Sequence, residues 1–242
     1  MRVSFDYDGV LGDFFAGAWI KALEQQGVAC REEDILYHNL EQNIYRCLHT
    51  GAPQTLAKSK VERMLYEIAA SGGYREIPPI EGAQEAIERL ARDGHEIFVI
   101  TSRKNIPYEN DFCFGHVRRD TLFALARDFP QIKPENVHFQ NKKTKAQICK
   151  ELRIEYHVDD FDKVVEELIG QEDGLTLPLL YSRPWNMPHP SLSDKENAKR
   201  SLKEWRVENW EDIYNLITEK AFIQKKIVER IQRLYEAQTY TA

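Results

Sequence analysis

The chain opens on a short apolar run, Val3-Ser4-Phe5, and comparable runs recur at Ile97 to Ile100, Val137 to Phe139, Tyr156 to Val158 and Leu177 to Tyr181. Each is rich in β-branched or aromatic residues, ends in a polar turn and is too short for a helix, so each reads as a buried strand. Between the runs, apolar positions recur three and four apart. That spacing predicts helices near residues 13–26, 82–93, 114–128, 144–152 and 162–169. Regular strand–helix alternation predicts an α/β fold, a doubly wound and mostly parallel sheet with helices on both faces. Pro178 lies inside the last run. It has no N–H to give to a ladder, which points to a place toward a sheet edge.

One interval breaks the rhythm. From Gly27 to Pro79 no strand is evident, while helical patterns run near 32–50 and 55–71, and Gly72-Gly73 and Pro78-Pro79 punctuate the return. The expected organisation is a Rossmann-like core over residues 1–26 and 80–215 with a small helical cap, 27–79, inserted after the first strand and helix. Residues 216–242 form a C-terminal amphipathic helix in this reading, with Ile223, Ile227, Ile231 and Leu234 on one stripe. That stripe either packs on its own core or forms a homodimer seam.

Composition narrows the class. Of 242 residues, 42% are hydrophobic and 30% charged, enough apolar material for a core and unlike a disordered chain. The net charge of −6 disfavours a partner such as polymeric nucleic acid, which calls for a basic surface. No apolar run reaches 18 residues, so no membrane span is expected. Cys30, Cys47, Cys113 and Cys149 show no C-x-x-C spacing and read as reduced thiols of a cytoplasmic protein.

Ligands of doubly wound sheets bind at the carboxyl ends of the strands. The first run leads straight into Asp6-Tyr7-Asp8-Gly9-Val10, the second into Thr101-Ser102-Arg103, and the fourth into Asp159-Asp160. Lys142-Lys143-Thr144-Lys145 opens the helix before that fourth run. Clustered carboxylates ionised together favour a hard cation, and few oxygen ligands suit Mg²⁺. Hydroxyls, backbone N–H groups and a lysine at a helix start are the parts of a phosphate cradle. An aspartate can attack phosphorus, and a second carboxylate can protonate the leaving oxygen and then activate water. The chemistry expected of the set is Mg²⁺-dependent phosphoryl transfer to water.

Phe5-Asp6-Tyr7-Asp8-Gly9-Val10-Leu11, Ile100-Thr101-Ser102-Arg103, Lys145 and Val158-Asp159-Asp160 together resemble the four-motif signature of haloacid dehalogenase-like phosphatases. Asp13, the paired Asp159-Asp160 and Arg183-Pro184-Trp185-Asn186 resemble, more narrowly, the cytosolic 5'(3')-deoxyribonucleotidase branch, over roughly residues 2–215. The resemblance implies that Asp6 is nucleophile and metal ligand. It makes Asp8 the general acid/base and a ligand through its backbone carbonyl, with Asp160 on the metal and Asp159 beside it. Thr101 and Ser102 would hold phosphoryl oxygens, and Lys145, with Lys143 as runner-up, would bridge phosphate and nucleophile. Arg103 would add a phosphate contact or pair with Asp159. Asp13 is either an inward anchor or an exposed first-turn acid, and His157 a plain strand residue.

The resemblance also implies a small phosphate-ester substrate, a nucleoside or deoxynucleoside monophosphate, with cap aromatics stacking on a base. Candidates are Phe14, Phe15, Trp19, Tyr37, Tyr45 and Tyr74, each of which would equally serve the core. Trp185 and Asn186 would fix the exit of the last strand. Sugar phosphates are the alternative substrate class, and a non-catalytic regulatory relative is the alternative role.

Overall fold

In the computed structural model, which describes residues 1–38, 40, 42–43, 54–104, 116–171, 175–200 and 202–219, every predicted run is a strand. β1 (Arg2–Phe5), β2 (Glu96–Thr101), β3 (Val137–Phe139), β4 (Tyr156–Asp159) and β5 (Leu177–Tyr181) join a sixth, β6 (Arg206–Val207), in one parallel sheet ordered β3-β2-β1-β4-β5-β6. β6 is two residues long within a charged stretch and leaves no apolar run to read. It makes β5 the strand next to the edge, toward the edge as Pro178 suggests but not at it. The reason the proline is tolerated is register. The Leu177 N–H points to β4 and the Ser182 N–H to β6, so the Pro178 nitrogen faces the β6 side, but β6 begins only opposite Leu180.

The helix expected over 13–26 is composite: a π-helical turn, Phe15–Trp19, runs into α1 (Ile20–Gln25). Among the described residues of the 27–79 interval there is a 3₁₀ turn at Glu32–Asp34, a long helix α2 (Gln54–Ala70), and no strand. The core helices follow as α3 (Ala83–Arg92), α4 (His116–Asp128), α5 (Lys145–Leu152), α6 (Asp162–Ile169), α7 (Asp194–Lys199) and α8 (Trp210–Thr218). α3 shows how the periodicity works: Ala83, Ala86, Ile87 and Leu90 are its buried stripe and the residues between them are charged or polar. Tyr45 and the stripe from Ile223 to Leu234 lie outside the described residues, as do Cys47 and Cys113. Cys30 and Cys149 are both buried. No helix among the described residues is long and apolar enough to cross a membrane.

The four central strands β2, β1, β4 and β5 are buried on both faces, as parallel strands under helices must be. Val3 and Phe5 of β1, Ile97 and Val99 of β2, and Tyr156 and Val158 of β4 face the larger core, where the Trp210 ring packs tilted against Phe5, 5.1 Å between centroids. Phe98 and Ile100 point the other way, into a smaller core with Ala146, Ile148 and Cys149 of α5 and Leu168 of α6. Strand order reverses direction at β1 and β4. The crevice beyond their carboxyl ends is therefore where the fold places a ligand.

Candidate active site

Asp6 follows β1 directly and is tied to β4 by its own N–H, which donates to the Val158 carbonyl at 2.9 Å. The chain then turns sharply, with the Leu11 and Gly12 N–H groups both donating to the Tyr7 carbonyl. Gly9 makes this turn possible. Its φ is +73°, and a Cβ there would lie 2.1 Å from an Asp160 oxygen, so the loop can close over the acid pair only without a side chain.

From the opposite strand, Asp159 ends β4 and Asp160 follows. One oxygen each of Asp6, Asp159 and Asp160 lies within 4.8 Å of the others, and all three side chains are buried. The Lys145 ammonium sits between two of them, 2.7 Å from Asp6 Oδ2 and 2.7 Å from Asp159 Oδ2. Thr144 places it there. Its hydroxyl caps α5 by accepting from the Gln147 N–H, while the Gln147 side chain accepts from the Thr144 N–H, so Lys145 is the first helical residue. Lys143, two residues earlier, is exposed and pairs with Glu151 on the surface.

The two neighbouring aspartates differ in how they are satisfied. Asp159 Oδ2 accepts from Lys145 and from His157 Nε2 at 3.0 Å, and its Oδ1 accepts from the Phe161 N–H at 2.9 Å. Burial pushes this carboxyl up, but Lys145 and His157 outweigh it and hold Asp159 well below the usual carboxylate range. Asp160 Oδ2 accepts from Trp185 Nε1 at 2.8 Å, and its Oδ1 is buried with no hydrogen-bond partner. Burial, then the charges of Asp159 and Asp6, raise Asp160 well above the ordinary value. Burial likewise lifts Asp6 to about 6, against the pull of Lys145. For Lys145 burial works downward, and Asp159 and Asp6 outweigh it.

A buried carboxylate oxygen without a donor costs roughly 1–3 kcal/mol or more. Three carboxylates beside one ammonium invite a second positive charge, and the donor set consists of oxygens alone. The set fits a hard divalent cation such as Mg²⁺, which the unpartnered Asp160 Oδ1 would hold together with the neighbouring Asp6 carboxylate, itself oriented by Lys145 and the Tyr7 N–H.

Asp8 looks elsewhere. Both its oxygens are taken by Arg103, at 2.9 Å from Nε and 2.6 Å from Nη2, and the same guanidinium donates to Thr121 Oγ1 at 2.7 Å. Tyr7 and Tyr74 put their rings over it. Arg103 therefore pairs with Asp8, which corrects the expected alternative of a pair with Asp159: the guanidinium meets the carboxylate that follows β1 and not the one that ends β4. Thr101 is fully buried, with its hydroxyl accepting from the Arg103 N–H, whereas Ser102 is exposed and donates to Gln140 at 2.6 Å. Asp13 is an inward anchor: it accepts from the Ala16 N–H and pairs with Arg183, which also holds Glu32.

Of the candidate aromatics, Phe14 stacks on Tyr74 and Phe15 packs on Trp185 at 4.2 Å, all within the core, and Trp19 is fully buried. Tyr37 is half-buried near Arg200 and Glu196. Two groups matter more than the motif spacing alone reveals. Trp185 and Asn186, singled out at the strand exit, hold Asp160 itself, the indole through Oδ2 and the amide through the backbone carbonyl at 2.8 Å. His157, read as a plain strand residue, reaches Asp159. Its place two residues before that acid, on the same strand face, was the available signal.

The family of 5' nucleotidase, deoxy (pyrimidine), cytosolic type C proteins matches this chain over residues 1–224. The chain belongs to that family. A Bacillus cereus protein provisionally named a nucleotidase is 28% identical over 98 residues, which is 40% of this chain and 47% of that relative. The match thus spans about half the length of the curated relative. Among solved structures, a haloacid dehalogenase-like family hydrolase of Streptococcus pneumoniae aligns with a TM-score of 0.55 at 10% identity, covering 90% of this chain and 98% of that one. A haloacid dehalogenase family hydrolase of Deinococcus radiodurans, solved with bound phosphate and sodium, gives a TM-score of 0.55 at 13% identity, covering 91% and 96%. At such identities these likenesses establish the haloacid dehalogenase-like fold.

Proposed function

We propose that this protein is a phosphomonoesterase of nucleotidase type that hydrolyses nucleoside or deoxynucleoside monophosphates in the cytoplasm. The observation that carries the reading is the buried Asp6–Lys145–Asp159–Asp160 cluster at the β1/β4 crevice, with its unpartnered Asp160 oxygen. Family membership supports the nucleotide substrate and the cytoplasmic compartment.

In this mechanism an oxygen of Asp6 attacks phosphorus while the ester P–O bond breaks, and the electron pair leaves on the alcohol oxygen, which takes a proton from Asp8, a step that requires Asp8 to give up its two bonds from Arg103. Water then attacks the aspartyl phosphate, giving its proton to Asp8 and returning Asp6 as a carboxylate beside free phosphate. Lys145 neutralises Asp6 and lets an anionic ester approach it. Thr101, Ser102 and the Arg103 N–H groups used by neither Asp8 nor Thr121 would hold the phosphoryl oxygens, Ser102 by turning from Gln140. Asp6 and Asp160 would hold Mg²⁺, which when bound supplies positive charge for the phosphoryl oxygens. Segment 27–79 acts as a cap: His38 stacks on Phe161 at 4.1 Å and Tyr74 covers Arg103, an enclosure suited to a small ester and not to a polymer.

The test is phosphate release with Mg²⁺ across nucleoside monophosphates, deoxynucleoside monophosphates and sugar phosphates, with an EDTA control. EDTA-sensitive release confined to nucleotides is the expected result. Release from sugar phosphates alone would keep the chemistry and discard the substrate class, and no release from any ester would discard the phosphatase reading.

A further inference from the structure

Behind the carboxylates lies a second polar row that the reaction scheme does not use. Residues two apart on a strand share a face, so Ser4 lies behind Asp6 on β1 and His157 behind Asp159 on β4. The two strands pair in register at this level, Ser4 opposite His157. On the same face β2 offers Phe98 and Ile100 to an apolar core, and α5 presses Ala146, Ile148 and Cys149 onto it. Ser4 and His157 are both fully buried there, polar groups where that core would take apolar ones.

Their bonds run in one direction. Ser4 Oγ lies 2.8 Å from His157 Nδ1, and His157 Nε2 lies 3.0 Å from Asp159 Oδ2. That same oxygen is 2.7 Å from Lys145 Nζ, which is 2.7 Å from Asp6. Asp159 is a carboxylate acceptor, so Nε2 carries the proton and donates to it whichever role Nδ1 takes toward Ser4. The imidazole is thereby fixed at both nitrogens, and it fixes in turn the oxygen on which the lysine rests. With the Phe161 N–H on its other oxygen, Asp159 has one orientation.

We propose that His157, seated on Ser4, is a positioning residue that sets Asp159 and through it the Lys145 ammonium beside Asp6. The inference rests on the phosphatase reading above and adds to it a residue pair lying wholly behind the site. A buried histidine of this kind costs desolvation that an apolar side chain would avoid, and its Nε2 spends its bond on the site acid Asp159 while Nδ1 is seated on Ser4.

The decisive experiment is a double-mutant cycle on phosphate release from whichever monophosphate the wild-type chain turns over, with melting temperatures recorded for every variant. His157→Leu, of similar bulk but without a donor, is expected to lose about tenfold or more in kcat/KM, on the scale found for groups that orient site ligands. His157→Gln, whose amide can donate to Asp159, is expected to recover most of that loss. In an Asp159→Asn background, His157→Leu should change the residual rate less than about twofold, because the group it acts through is already gone. Equal losses in the Gln and Leu variants, full activity in His157→Leu, or losses that simply add with Asp159→Asn would each overturn the proposal. Should His157→Leu fail to fold, Ser4→Ala keeps the imidazole and removes its support, and an unchanged rate there would also overturn it.

A readout independent of turnover is the rise in melting temperature on adding Mg²⁺. It should persist in His157→Leu, since neither Asp6 nor Asp160 is held by the imidazole, and its disappearance would assign His157 to metal retention instead. Failure of the phosphatase reading is told apart by the wild-type control: it appears as no release from the wild-type chain, whereas failure of the positioning proposal appears only among the variants.

Discussion

β1 meets charge at both of its ends and handles it in opposite ways. At the amino end Arg2 pairs with Glu96 at the start of β2, with nearly half of each side chain in water (45% and 47%). Pairs of that kind contribute about 0–1 kcal/mol, because water already solvates both partners. At the carboxyl end Asp6 meets Lys145 and Asp159 with none of the three side chains more than 8% exposed. Taking such ions out of water costs several kcal/mol each, and excellent geometry offsets only part of it. The amino end is what a strand does with charge when only stability matters. The carboxyl end keeps three acids, one lysine and a partnerless oxygen, an arrangement that in the proposed reaction would gain its favourable terms from a phosphate ester and a cation.

The sharpest way to break this contrast is Asp6→Asn. The substitution keeps shape and removes the nucleophile, so turnover should fall by at least ~10³-fold. Stability should move the other way. Burial already holds the Asp6 carboxyl up at about 6, so a neutral amide there relieves repulsion, and the melting temperature should equal or exceed that of the wild type. Retained turnover would remove Asp6 from the nucleophile role, and a steep fall in melting temperature would show the cluster to be stabilising after all.

Next in size is a pair of lysines two residues apart. Lys145→Ala leaves Asp6 and Asp159 facing each other without their ammonium, and should cost about 3 kcal/mol in the metal-free protein together with most of the activity. Lys143→Ala loses one exposed pair with Glu151 and should change stability by about 0.5 kcal/mol or less, with activity intact. Urea melts and rates on the two variants settle the matter. The reverse ranking would move the phosphate cation to Lys143.

That lysine pair also shows what the sequence could and could not reveal. Motif spacing narrowed the cation to two candidates, but the choice depends on where α5 starts. The reciprocal bonds between Thr144 and Gln147 make that start, and they are legible as a capping box once the helix is placed. Strands β1 to β5 were legible because parallel strands buried on both faces are continuous apolar runs. β6 was not, since two residues paired only with Leu180 and Tyr181 carry no such signal. The acids were legible because each stands at a strand end. What holds them was legible only in part. Trp185 reaches Asp160 from 25 residues further on, and Thr121 reaches Arg103 from the body of α4, separations at which local pattern says nothing about contact.

Trp185→Phe sharpens the comparison at the level of a single bond. It keeps the ring packed against Phe15 and deletes the indole donor to Asp160 Oδ2, leaving that carboxylate with no hydrogen-bond donor among the described residues. Removing a group that orients a ligand typically weakens metal affinity or activity 10–100-fold, so the Mg²⁺ concentration giving half-maximal rate should rise by about tenfold. Melting in the absence of metal should change by no more than a few degrees. An unaltered Mg²⁺ requirement would mean that Asp160 is not held for a cation.

The smallest effect belongs to the other end of the strand. Glu96→Ala removes the exposed partner of Arg2, yet the Arg2 guanidinium keeps its bond to the Leu152 carbonyl at 2.8 Å, and its backbone N–H still donates to Glu155. No group becomes both buried and unpartnered, so the free-energy change should stay within about 0.5 kcal/mol and kcat/KM should not move. The residual effect should also shrink as salt is raised, because the pair is solvated and screened. Added salt should do far less to the Lys145 variants, whose charges lie out of reach of the solvent. A Glu96→Ala loss comparable to that of Lys145→Ala would collapse the distinction between the two ends, since it would mean that charge in water and charge in the core are worth the same to this fold.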